Sequence, residues 1–146
     1  MTFLIVNFAV TLYMIGVIWM VQLVHYPLMA NVGKETFCDY HHRHVQMMTF
    51  VVGPSMLVEA FTMLAILAQS VGIQFNLALI GTILVFVIWL STAFLQVPCH
   101  SRLENKFDSS THRFLVRSNW IRTVAWSLRG IILYLMIANL KNGISN

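Results

Sequence analysis

FNLALIGTILVFVIWLSTAFL, residues 75–95, carries no charged side chain over a length that, wound as a helix, rises about 30 Å, the thickness of a bilayer's hydrocarbon core. A stretch apolar on every face for so long reads as a membrane-spanning helix. Working outward, three more windows qualify: 3–24, 47–67 and 120–140. The last contains Arg122 and Arg129, yet residues 131–140 are too hydrophobic to rest in water. The chain has 146 residues, 58% of them hydrophobic and 10% charged, with mean hydropathy +0.75, which excludes a water-soluble domain of ordinary composition. The expected architecture is all-α: an integral membrane, up-down-up-down four-helix bundle forming a single transmembrane domain over 1–146. Its helices are expected at about 3–27, 36–69, 74–100 and 110–141, the ranges that extend the apolar windows to the nearest helix-ending signals. The first segment lacks a basic start and a small-residue cleavage site, so it reads as a retained helix.

The link at 69–74 is short, which makes the second and third helices antiparallel neighbours. Longer links, 29–37 and 101–110, lie at the other end. Ser109, Ser110 and Thr111 are helix-starting residues before the fourth span, and Asn142 with Gly143 is its expected stop. Alternating passes then put every histidine at one end: His25 closes the first segment, His41, His42 and His44 open the second, His100 closes the third, and His112 precedes the fourth. Lys34, Arg43, Arg102, Lys106, Arg113 and Arg117 lie there too, with Lys141 opposite. The positive-inside rule predicts a multi-pass protein of a bacterial inner membrane with this face in the cytoplasm and both termini outside. Cys38 and Cys99 share that reducing side, which favours free thiols over a disulfide. The net charge of +4 flanks the spans and suits anionic lipid headgroups rather than nucleic acid.

Imidazole is the commonest protein metal ligand, so the histidine end is where chemistry is expected. His41 and His44 are three apart and share a helix face, whereas His42 points about 100° away, toward a neighbour or water. Trp89, Gln96 and His100 share a face of the third helix, and Pro98 is placed to kink its end. His112, Asn119, Arg122, Trp126 and Arg129 fall within an arc of the fourth, and Trp19, Gln22 and Tyr26 on one side of the first. Four inward stripes at one level form the arrangement by which bundles hold a haem or a metal. The predicted ligands are His25, His41, His44, His100 and His112, with Tyr26, Gln96, Cys99, Asn119, Arg122 and Trp126 lining the pocket around them. The cofactor is haem b or a transition metal, iron, copper or zinc, since each accepts imidazole. Met47, Met48, Met56 and Met63 offer thioethers to Cu(I) or, more ordinarily, soft packing. Gly53 and Pro54 free the Phe50 carbonyl and are placed to bend the second helix around a cavity.

Deeper in the bundle, Glu59 lies roughly 18 Å below residue 47 and Arg129 roughly 14 Å below residue 120. They are expected to meet as a buried ion pair, because an unpaired charge at that depth is costly.

Trp19-x6-Tyr26-Pro27, followed by an amphipathic stretch leading into the second helix, resembles a group of small bacterial membrane proteins. The group includes the copper-resistance D type and the four-helix membrane protoporphyrinogen oxidase. The resemblance implies an aromatic-Pro step ending an early helix and histidines facing a haem or metal. The chain departs from the haem-binding members in lacking a histidine near the start of the first helix, so their ligands are not carried over. The blocks Tyr40-His41-His42-Arg43-His44, Gln96-Val97-Pro98-Cys99-His100 and Asn119-Trp120-Ile121-Arg122-Thr123 are similar to those of uncharacterised small bacterial membrane proteins. The function expected is binding of haem or a transition metal, with redox activity on a lipid-soluble or tetrapyrrole molecule in view. Two other readings fit the same residues: a non-catalytic accessory subunit of a larger membrane complex or homo-oligomer, and a small carrier with Glu59 as its coupling acid.

Overall fold

The computed structural model describes the backbone of residues 1–144 and the side chains of residues 1–140. Four helices, and no strand, make up the described residues: α1 (Thr2–Met29), α2 (Phe37–Gln69), α3 (Gly72–Asn105) and α4 (Ser109–Ile144). Each is long and apolar enough to cross a membrane. Neighbours pack in chain order, α1 on α2, α2 on α3, α3 on α4, and α4 back on α1, which closes an up-down-up-down bundle.

Three boundaries differ from expectation. Helix α3 continues to Asn105, five residues past His100, so only residues 106–108 link it to α4. The start of α4 is set by Asp108, whose carboxylate accepts the Thr111 backbone N–H at 2.7 Å and the Ser110 and Thr111 hydroxyls, an N-cap one residue earlier than the serines suggested. At the other end, the α4 backbone continues through Asn142 and Gly143 to Ile144. The side chains of those residues and of Lys141 lie outside the described set.

Helices α1 and α3 each contain a π-helical turn, Val21–His25 and Thr92–Gln96. Pro27 and Pro98 come two residues later and have no N–H to give the carbonyls of Leu23 and Phe94 four residues back. The helix widens instead: the Tyr26 N–H bonds the Val21 carbonyl and the Val97 N–H the Thr92 carbonyl, each five residues away. Helix α2 passes through Pro54 without such a turn.

The interior is layered from end to end. Leu4, Met63, Ala78, Leu133 and Met136 pack at the end away from the histidines, Met14, Ile18, Met56, Ile88 and Trp126 in the middle, and Tyr26, Met29, Phe37, Leu103 and Leu115 at the histidine end. Asn7, Thr11, Gln22, Glu59, Asn119, Thr123 and Arg129 are buried, whereas Phe50, Phe61, Phe86 and Phe94 are exposed. Polar groups inside and large apolar ones outside suit a lipid-facing surface. With lipid offering no hydrophobic drive for helix association, close approach matters: a Cβ on Gly130 would lie 2.7 Å from Ile15 Cδ1, and one on Gly81 3.1 Å from Met63 Cε.

Candidate functional site

Four imidazoles from three helices meet at one end of the bundle. His25 Nε2 lies 2.9 Å from His44 Nδ1, and His100 Nδ1 lies 3.1 Å from His41 Nε2. The two pairs adjoin, with ring centroids 6.0 Å apart for His41 and His44 and 5.9 Å for His44 and His100. Residues 41 and 100 therefore sit on the same side of the bundle. Alternation of the four passes produces this convergence, and the π turn ending at His25 sets where the α1 imidazole points.

Tyr26 and Tyr40 extend the cluster. The Tyr26 hydroxyl is 3.1 Å from His100 Nε2, and the Tyr40 hydroxyl is 3.5 Å from His25 Nε2. His100 thus uses both ring nitrogens, one toward His41 and one toward Tyr26. A neutral imidazole has one donor and one acceptor nitrogen, so the proton order along Tyr26–His100–His41 is correlated. The chain of bonds ends at His41 Nδ1, which is buried without a hydrogen-bond partner. Phe37 stacks on that ring at 5.3 Å.

One predicted ligand and one residue predicted to line the pocket are placed elsewhere. His112 turns its Nε2 to the Tyr26 backbone carbonyl at 2.8 Å, where it satisfies an acceptor near the end of α1. Cys99 is buried in the apolar layer with Leu103 and Leu115 rather than among the imidazoles. His42 is exposed and faces Glu104 at 3.4 Å and Gln46 at 2.9 Å, toward a neighbour and water as its azimuth required. Among the described residues, no three His, Cys, Asp or Glu side chains are placed to hold a metal ion in their present rotamers. The ring nitrogens of the cluster are turned on one another instead.

A cavity of about 390 Å³ adjoins the cluster, within the size range of small-molecule sites. Helix α2 supplies one wall through His44, Met48, Val52 and Met56, and α3 the other through Trp89, Gln96, Val97 and His100. Tyr26 and Arg122 close it from behind. Its origin is the π turn of α3: α2 packs on α3 along Gly72–Ser91 and again along Val97–Asn105, while the intervening Thr92–Gln96 packs on α4. Gly53 also lines the cavity, although α2 forms its wall with no π turn at Pro54.

Arg122 is 7% exposed and donates one long hydrogen bond, Nη1 to Thr92 Oγ1 at 3.4 Å. Its Cζ lies 5.5 Å from the Trp126 ring centroid, a cation–π contact, and its Nε has no partner. Gln96 gives its Nε2 to Ser118 Oγ at 3.0 Å and leaves Oε1 unpaired. Asn119 donates to Gln22 Oε1 at 2.9 Å, and Gln22 in turn donates to the Val116 carbonyl at 3.1 Å.

Below the cavity, Glu59 and Arg129 form an ion pair inside a closed network. Glu59 also accepts from Thr11 Oγ1 at 2.6 Å and from Trp126 Nε1 at 2.9 Å. Asn7 accepts from Arg129 Nη2 at 3.0 Å and donates to the Glu59 carbonyl and to Thr62. Trp126, expected beside the ligands, instead spans the two levels, with its N–H on Glu59 and its face under Arg122. Asn7, Thr11 and Thr62 are members of this network that sequence reasoning misses. Asn7 and Thr11, four apart in an apolar helix, are the available sign, as is Thr62 one turn from Glu59.

No protein-family model, curated protein or solved structure matches this chain. The likeness to copper-resistance D and protoporphyrinogen oxidase proteins therefore rests on the quoted residues alone.

Proposed function

We propose that this membrane protein holds a transition-metal ion at His25, His41, His44 and His100 and presents it to a lipid-soluble molecule in the adjoining cavity. The observation that carries the proposal is the meeting of four imidazoles, two of which, His44 and His100, also line the cavity. Ligand nitrogens on a tetrahedral ion at about 2.0–2.1 Å are separated by about 3.3 Å. Within each pair the nitrogens already stand near that spacing, at 2.9 and 3.1 Å. Coordination would replace the hydrogen bonds between rings by small ring rotations, with His41 bound through Nε2, the nitrogen it now turns to His100. A bound ion would supply Lewis acidity or, with iron or copper, one-electron chemistry. Haem b is the alternative cofactor, and it too would require both pairs to open.

The histidine face is assigned to the cytoplasm of a bacterial inner membrane, with both termini outside. Support comes from Lys34, Arg43, Arg102, Lys106, Arg113 and Arg117, all at that end. The carrier alternative loses support from the same geometry: both Glu59 oxygens are occupied by donors, and Glu59 does not line the cavity.

Detergent-purified protein, loaded with Zn(II), Cu(II) or Fe(II) and desalted, tests the assignment by elemental analysis and visible spectrum. About one ion per chain is expected in the wild type and in His42→Ala, and none in His41→Ala/His44→Ala of unchanged helical content. A folded wild type that retains no metal and has no visible absorption would reject the metal site and favour an accessory subunit packed in a larger complex.

A further inference from the structure

The cavity's back wall carries a positive charge that has no ion-pair partner among the described residues. The chain has five acidic residues, and none is spent on Arg122. Glu59 neutralises Arg129, Asp108 caps α4, Glu104 faces His42 at the outer rim, and Glu35 and Asp39 are exposed near the start of α2. A guanidinium cannot shed its proton in a protein, and at membrane depth an unmatched one is costly. Arg122 is held only by the Trp126 face and one long bond to Thr92, so most of its five donors are unspent.

The surroundings specify what would match it. Beyond Arg122 and its partner Thr92, the polar lining is Tyr26, Gln96, His44, His100 and the rim residues Thr49, Ser101 and Glu104. The walls toward mid-membrane are apolar. Trp89 belongs both to this cavity and to a second, wholly apolar one of about 240 Å³ lined by Met63, Leu64, Val85 and Phe86. The two adjoin at Trp89 along the seam between α2 and α3, where Val97 and Trp89 are exposed.

We infer that the α2–α3 seam binds a long-chain, lipid-soluble carboxylic acid, its carboxylate on Arg122 and its chain past Trp89 into the apolar cavity. One unpaired cation calls for one negative charge, and the planar guanidinium fork matches a carboxylate through two parallel hydrogen bonds. Placed this way, the head group lies beside His44, His100 and Tyr26, which makes the acid the kind of molecule the proposed metal site would meet. The inference rests on the cavity and on Arg122, and it holds whether or not the histidines bind metal.

The test uses the full chain in dodecyl maltoside, stripped of metal with EDTA, with 9,10-dibromostearic acid as the probe. Its bromines quench tryptophan fluorescence on contact, and Trp89 lines the seam. Saturable quenching is expected, with a midpoint at least about tenfold lower than for 9,10-dibromo-octadecanol, the difference a charge-assisted hydrogen bond makes. Arg122→Gln should bring the acid's midpoint to that of the alcohol, and Trp89→Phe should reduce the amplitude of quenching. Equal midpoints for acid and alcohol in the wild type would overturn the inference without recourse to any variant. Dibrominated phosphatidylglycerol binding as tightly as the acid would overturn it in favour of a lipid headgroup. Because the protein is metal-free throughout, failure here is separate from failure of the metal site.

Discussion

Replacing Glu59 by Gln keeps the side chain's shape and removes its charge, and the surrounding network shows why that should be severe. One Glu59 oxygen accepts from Thr11 and Arg129, the other from Trp126. The amide NH₂ of Gln must take one of those places and confront a donor. The cheaper choice faces Trp126 and leaves a buried indole N–H unpaired, a cost of about 1–3 kcal/mol. Arg129, 1% exposed, also loses the counter-ion Glu59 supplies, and breaking a buried pair from one side costs about 3–5 kcal/mol in all. Arg129→Met strands the carboxylate and should cost about the same. In Glu59→Gln/Arg129→Met no stranded charge remains, so the loss should fall to the about 1–3 kcal/mol of the mismatched hydrogen bonds. The double variant is thus expected to be more stable, and to give more folded protein, than either single one. Titration with dodecyl sulfate in mixed micelles, followed by helical circular dichroism, measures all four corners of the cycle. Additive losses would show that the two side chains do not depend on one another and would refute the closed network.

Single positions give further expected outcomes. Gly72 opens α3 at φ +56° with open space around its missing Cβ, so Gly72→Ala should lose about 1 kcal/mol by backbone strain alone. Gly16→Ala, in mid-α1 with equal space, should instead gain about 0.5–1 kcal/mol, and the same titration distinguishes the two signs. Hydrogen bonds from Ser110 and Thr111 hold the Asp108 carboxyl well below the usual carboxylate range. A depressed value means that its contribution is complete above the unfolded value, near pH 4, and is lost as pH falls toward the folded one. The melting temperature of wild type relative to Asp108→Asn should therefore be highest near neutrality and converge with it in acid; a gap that widens below pH 4 would contradict the cap. Pro98→Ala returns an N–H able to reach the Phe94 carbonyl and close the π turn into an α turn. A turn that loses one residue rotates the rest of the helix by about 100°, which should swing His100 away from His41 and remove dibromostearate quenching. Unaltered quenching in Pro98→Ala would dissociate the cavity from the π turn.

The spans are legible in the sequence because lipid leaves the backbone few options and requires about 20 apolar residues at each crossing. Alternation alone brings His25, His41, His44 and His100 to a shared end. The common rise per residue likewise brings Glu59 and Arg129 to one depth, where they meet. Rotation about each helix axis is less accessible. His112 and His100 look equivalent in the sequence, yet one turns to a backbone carbonyl of α1 and the other to His41 and Tyr26. Packing decides that difference, and periodicity does not encode packing. Cys99 sits next to His100 but one residue's rotation away, which puts it in the apolar layer. Pro98 reads as a kink, whereas its missing N–H widens the helix and separates the Thr92–Gln96 segment from α2.

The two polar levels of the bundle obey different rules, and the difference supports the site proposed at the histidine end. Around Glu59, carboxylate charge is balanced and nearly every donor has an acceptor, which is how polar groups persist inside a membrane protein as structure. Arg129 Nε is unpaired there, but it belongs to a guanidinium already neutralised. On the cavity wall Gln96 Oε1 and Arg122 Nε are buried and unpaired, as is His41 Nδ1 in the adjoining cluster, and Arg122 brings a whole charge with it. Native proteins leave few such atoms, because each costs the hydration it gave up. Had Arg122 only a structural role, an acid within reach would have been the economical partner, as Glu59 is for Arg129 seven residues on. An unmatched cation on a cavity wall, below four imidazoles and above an apolar seam, gives the bundle's histidine end the composition of a binding site.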